Sequence, residues 1–184
     1  MNDQNLYKHT LLRHVEDYLG DIILGINDGL VSILGFVAGA YGAVENNLLV
    51  FITGVIAAAA AALSMGAAVY LARKSERELQ NHQESHTFPA LKAGSATTLA
   101  FIFFSLFPLL PYLVISGFPA FITSIILTLF ALFAAGSLKT LITKEYQKWF
   151  LRGFEMMLIG GITAFISYGV GVWIGNITGI TARI

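Results

Sequence analysis

One carboxylate stands inside an apolar stretch of membrane length: Asp28, within DIILGINDGLVSILGFVAGA from Asp21 to Ala40. An ionisable group in such a span costs roughly 2.5–3.5 kcal/mol on insertion scales, so it is kept where it faces a partner, water or an ion. Asp21 lies seven residues earlier and Asp17 eleven earlier, which in a helix puts all three acids near one face. The pattern is a ladder of carboxylates leading inward from one membrane surface, and its chemistry is cation binding. A second apolar stretch carries Met65, next to Ser64. Counted from the inner ends of two antiparallel helices, Met65 is roughly 10 Å deep and Asp28 roughly 13 Å deep. Oxygen and thioether sulfur at similar depth suit a borderline first-row divalent ion such as Fe²⁺ better than Mg²⁺ or Ca²⁺, which take oxygen alone. Asn27 and Ser64 are neighbours that can add oxygens. The ordinary roles are gap-filling between helices for Met65, and pairing with a backbone group or an asparagine for Asp28.

A second group lies in RKSERELQNHQESH, where Glu78, His82 and His86 follow at steps of four on one helical stripe. Two imidazoles and a carboxylate at that spacing can hold a divalent cation, and the same stripe also fits a plain solvated helix that Pro89 ends. Glu155 and Tyr168 can face the bundle centre, or pair with Arg152 and pack, respectively. The sequence has no glycine-rich phosphate loop, no nucleophile with a base and no hydrolase-type carboxylate pair, so the expectation is not an enzyme and no tightly bound cofactor.

The elements that must position these residues are membrane helices. Of 184 residues, 56% are hydrophobic and 12% charged, against about 25% charged in a soluble domain. No cysteine is present, which excludes disulfides and thiolate metal sites. Eleven basic and eleven acidic residues cancel, leaving no electrostatic case for nucleic acid. The first twenty residues are polar and mixed in charge, unlike a cleaved signal peptide. Within them Leu11, Leu12, Val15 and Leu19 share a side, so residues 1–20 read as an interfacial helix or a solvated lead-in.

Five spans follow, near residues 21–44, 48–72, 93–114, 118–138 and 153–175, forming an all-α five-helix membrane domain over 21–175 with a tail at 176–184. The connections 73–92 and 139–152 are rich in Lys and Arg and the other two contain none. With the N-terminus inside, ten of the eleven basic residues are cytoplasmic and only Arg183 is outside, so the positive-inside rule predicts N-terminus in and C-terminus out. Small residues four apart (Gly25 and Gly29, Gly35 and Gly39, Ala58 and Ala62, Gly171 and Gly175) predict a packed centre of spans one, two and five. The Phe- and Leu-dense third and fourth spans read as lipid-facing, with Pro108 and Pro111 at the outer end of the third. No internal repeat is visible, so an inverted-repeat transporter is unsupported.

The stretches ILGINDGLVSILGFVAGA, ALSMGAAVYLARKSERE and FPLLPYL, and the run from GSLKTLIT through GFEMMLIGGITAFISYGVGVWIG, resemble the vacuolar iron transporter family in order and spacing, over about Gly20 to Gly175. The resemblance implies a homodimer of five-helix subunits, with an ion path between the two copies of the first helix. It implies movement of Fe²⁺, and often Mn²⁺, out of the cytosol in exchange for protons. The family's intramembrane carboxylate falls on Asp28, its methionine on Met65, and its entrance acids resemble Asp21 and Asp17. Two departures stand out. Where the family has Gly-Glu-Tyr, this chain has Ala68, Val69 and Tyr70, so one acid is replaced by Val69. Many members also carry a glutamate-rich domain between the second and third spans, where this chain has about twenty residues; either Glu78, His82 and His86 are a reduced substitute or cytosolic metal capture is absent. Other expectations consistent with the sequence are the same fold carrying mainly Mn²⁺ or another ion, and a non-transporting membrane partner. The membrane is the cell membrane in a prokaryote and a vacuole-like one in a eukaryote.

Overall fold

A computed structural model describes residues 3–79, 87–142 and 146–179; the side chains of residues 3–17, 77, 87–88, 141–142 and 146 lie outside the described set. Five α-helices follow one another: α1 (Asp3–Val44), α2 (Asn47–Leu79), α3 (Thr87–Val114), α4 (Phe118–Ile142) and α5 (Trp149–Thr178), the last preceded by a 3₁₀ turn at Tyr146–Lys148. All five are long and apolar enough to cross a bilayer. The lead-in expected before the first span is helical and continuous with it, because α1 runs unbroken through Gly20.

The tight turns have local causes. Helix α1 ends where Glu45 takes a left-handed φ of 46° and its N–H bonds Tyr41 O at 2.9 Å. Asn46 then caps α2, its Oδ1 accepting from the Leu49 N–H at 3.0 Å. Gly117, with φ of 71°, turns α3 into α4, and the Asn47 amide donates to Ile115 O at 2.9 Å, tying the two turns together.

The packed centre differs from the expected one. Within the most apolar window of each helix, 44% of residues are buried in α1 and 39% in α3, against 22% in α2 and 17% in α5. Phe101, Leu109 and Leu132, on the spans read as lipid-facing, are fully buried, whereas Phe103 and Phe130 are exposed. The reason is physical: lipid is as apolar as leucine, so richness in Phe and Leu does not separate an inward face from an outward one. What brings α3 inward is its own row of small residues, Ala90, Ala93, Gly94 and Thr97, all buried.

Small residues do mark the contacts. A Cβ on Gly25 would lie 2.5 Å from Thr97 O and one on Gly29 2.7 Å from Phe101 O, so that half of α1 touches α3 through backbone. Further along, Gly39 meets Ser167, and Gly171 is pressed against the Gly39 carbonyl. Interhelical hydroxyl bonds add to this: Thr97 Oγ1 donates to Asp21 O at 3.1 Å, Thr98 Oγ1 to Ala62 O at 3.2 Å and Ser124 Oγ to Pro108 O at 2.6 Å.

Candidate functional site

The inner half of α1 carries both acids of the first span, and α2 runs antiparallel beside it. Their environments differ. Asp21 is 7% exposed, and Arg73 Nη2 lies 3.1 Å from each of its carboxylate oxygens. Asp21 is therefore neutralised inside the chain, and its backbone carbonyl is held by Thr97. Asp28 is partly buried and accepts a 2.6 Å bond from Ser32 Oγ, one helical turn on. Among the described residues no cation pairs with Asp28. Of the two carboxylates, the shallower has a counter-ion and the deeper has only a hydroxyl donor.

Met65 is partly buried against the main apolar core, which includes Ile33 and Leu34 of α1. Two contacts between α1 and α2 bracket the level of Asp28: Val37 lies next to Gly54, and Asp21 pairs with Arg73. Stepping along the antiparallel pair between them puts Asp28 level with Leu63 to Gly66, the turn that contains Met65. Ser64 is exposed, and Asn27 lines an apolar cleft between α1, α3 and α4, so these neighbours point elsewhere than Met65.

The remaining sequence candidates are placed as follows. Glu78 is exposed at the end of α2, with Lys74 Nζ 3.9 Å away, while His82 and His86 lie outside the described residues. The Asp17 side chain also lies outside the described set. Glu155 is exposed and pairs with Arg152 at 3.0 Å, one turn earlier on α5. Tyr168 stacks on Phe121 with ring centres 5.2 Å apart, and Phe121 on Tyr41 at 4.8 Å, forming an aromatic cluster with Tyr112 at the far end of the bundle. Val69, where an acid was expected, is buried.

Among the described residues no group of three or more His, Asp or Glu side chains is close enough to hold a metal. Acids within one chain therefore do not complete a metal shell. What one copy offers along the α1–α2 seam is an uncompensated carboxylate and a thioether at one level, with an ion pair nearer the surface.

Sequence reasoning missed Arg73 and Ser32. Ser32 is four residues after Asp28, a spacing at which a helical hydroxyl reaches a carboxylate. Arg73 follows Ala72, the residue from which the depth of Met65 was counted, so the same count places it near the level of Asp21.

The profile of the VIT family matches residues 19–88 and 80–172. The chain is 27% identical to the vacuolar iron transporter of Centaurea cyanus over 229 aligned positions, covering 89% of this chain and 93% of that protein. It is 26% identical to vacuolar iron transporter 1 of Arabidopsis thaliana over 227 positions, covering 90% of each. It is 37% identical to vacuolar iron transporter 1 of Tulipa gesneriana over 90 residues, covering 45% of this chain and 36% of that protein. The first alignment uses 89% of 184 residues yet runs 229 positions, so about 65 of its positions have no counterpart here. The two profile matches meet at residues 80–88, in the connection between α2 and α3. With most of its length matched by that profile, the chain belongs to the VIT family.

Proposed function

We propose that this chain carries a divalent first-row metal ion, Fe²⁺ or Mn²⁺, out of the cytosol across the membrane that its five helices span. The observation that carries the reading is the contrast on α1: Asp21 has Arg73 as counter-ion, whereas Asp28, deeper in the span, has a hydroxyl donor and no cation. An intramembrane carboxylate left without a counter-ion is most simply explained by a cation that comes and goes. Met65, level with it, adds a sulfur that favours Fe²⁺ or Mn²⁺ over Ca²⁺. One copy supplies too few donors, and a symmetric second copy with its α1 alongside doubles them to two carboxylates and two thioethers. The ion path in this reading therefore runs between two copies, with the N-terminus of α1 in the cytosol as the Lys and Arg distribution predicts.

A proton and a metal ion compete for one carboxylate, which is the simplest basis for exchange of the two. The relatives named as vacuolar iron transporters support iron as cargo and a vacuole-like membrane in a eukaryotic host, with the cell membrane as the counterpart in a prokaryote. The test is metal uptake into proteoliposomes with Fe²⁺, Mn²⁺ and a pH gradient. Asp28→Asn is expected to abolish flux, and Met65→Ala to reduce it about tenfold or more, the range expected when support of a metal site is lost. Undiminished flux in Asp28→Asn overturns the reading.

A second reading has its own observations: Val69 stands where an acid was expected, and Arg73 already occupies Asp21. Both reduce the negative charge offered to a cation, as in a membrane partner that binds no cargo. Overexpression in cells given toxic iron separates the two, because a silent partner leaves metal tolerance unchanged.

A further inference from the structure

A cleft of about 280 Å³ opens between α1, α3 and α4, on a side of the bundle apart from the α1–α2 seam. Its walls are Ile22, Ile26, Phe104, Phe107 and Leu127 among other apolar side chains, and its polar groups are Asn27 and Lys139. The cleft reaches along α4 from Leu127 to Lys139. At 1.5 Å per residue that is about 18 Å, close to one leaflet of a hydrocarbon core about 30 Å thick.

The end at Lys139 lies at a membrane surface. Ser137 Oγ donates to Trp149 O at 3.2 Å, and Trp149 is half-exposed, as tryptophans at the headgroup level are. A Cβ on Gly136 would lie 2.5 Å from Arg152 O, so the end of α4 and the start of α5 touch through backbone. Lys139, Lys148 and Arg152 therefore gather at one corner, and Glu155, paired with Arg152, offsets one of their charges.

An apolar slot one leaflet long, closed at its surface end by a lysine within a corner of net positive charge, matches a single kind of occupant. We propose that this cleft binds an anionic phospholipid of the leaflet at the N-terminal end of α1, with one acyl chain in the slot and its phosphate at Lys139. An acyl chain satisfies walls that present no hydrogen-bonding demand beyond the Asn27 amide, and an anionic headgroup is attracted by the corner's charge. The bound chain packs against Ile26 and Asn27, on the turn of α1 that carries Asp28. The proposal does not depend on what the protein transports.

Native mass spectrometry of the full chain, released from micelles doped equally with palmitoyl-oleoyl phosphatidylglycerol and palmitoyl-oleoyl phosphatidylcholine, tests it. The expected result is retention of one phosphatidylglycerol per chain, favoured about fivefold for each basic side chain that reaches the phosphate. Lys139→Gln touches only the mouth and should bring the two lipids toward equal retention. Ala134→Trp fills the slot and should abolish retention of both. Equal retention of the two lipids by the unmodified chain, or unchanged preference in Lys139→Gln, overturns the proposal. Should Ala134→Trp fail to fold, as judged by its elution and helical content, the Lys139→Gln comparison decides alone.

Discussion

Arg73→Gln should destabilise the bundle more than Asp21→Asn, although the two remove partners of one contact. Deleting one member of a fully buried ion pair costs about 3–5 kcal/mol, and an exposed pair is worth about 0–1 kcal/mol. Here the Asp21 side chain is 9% exposed and the Arg73 side chain 38%. Arg73→Gln leaves a carboxylate enclosed between α1 and α2 without its cation, at an intermediate cost of about 2 kcal/mol. Asp21→Asn leaves a guanidinium that is already partly in water and can turn outward on its long stem, at about 1 kcal/mol. The double variant contains no stranded charge, so its loss should fall short of the two single losses together by about 1 kcal/mol. Unfolding in mixed micelles with rising dodecyl sulfate, followed by the fluorescence of Trp149 and Trp173, measures all three. Additive losses, or a costlier Asp21→Asn, refute the reasoning that Asp21 is the enclosed partner.

Three further outcomes follow from particular contacts. Gly171→Ala places a Cβ against the Gly39 carbonyl and should cost about 1–3 kcal/mol, whereas Gly169→Ala, with open space around it on the same helix, should be neutral or stabilise by about 0.5–1 kcal/mol in the same unfolding assay. Ser32→Ala removes the hydrogen bond that orients the Asp28 carboxylate but keeps its charge, so proteoliposome flux should persist with a KM for metal raised severalfold. Asn46→Ala removes the cap of α2 and should cost about 1 kcal/mol, while Asn46→Asp should retain most of the stability.

Much of this architecture is written in local pattern. The apolar runs are long enough to give five membrane helices, and the turns at Asn46 and Gly117 carry residues suited to a cap and a left-handed φ. Rows of glycine locate the contacts of α1 with α3 and α5, because close backbone approach needs the absence of a side chain. What the pattern hides is which apolar helix is central. Phe101 and Phe103 are two residues apart, one fully buried and the other 61% exposed, and no property of phenylalanine separates them. The Asp21–Arg73 pair was hidden for another reason: its members are 52 residues apart, and only the antiparallel register of α1 and α2 brings them together.

That register joins the two halves of the candidate site. On α2, Met65, Val69 and Arg73 follow at steps of four, so they share a stripe, just as Asp21, Gly25, Asp28 and Ser32 share one on α1. Across the seam, Arg73 meets the shallow acid while the sulfur lies level with the deep one, and an apolar residue stands between. A cation approaching from the N-terminal end of α1 thus meets a fixed positive charge before it reaches Asp28, at a depth where such a charge is poorly screened. Removing Arg73 should then act in opposite senses on two observables: Arg73→Gln lowers stability but raises initial metal flux at low metal concentration. Asp21→Asn, which leaves the guanidinium in place and discards the acid, should lower flux. A flux lowered alike in both variants means that the pair only holds α1 to α2. Opposite changes mean that Arg73 stands in the resting state where the arriving ion must go.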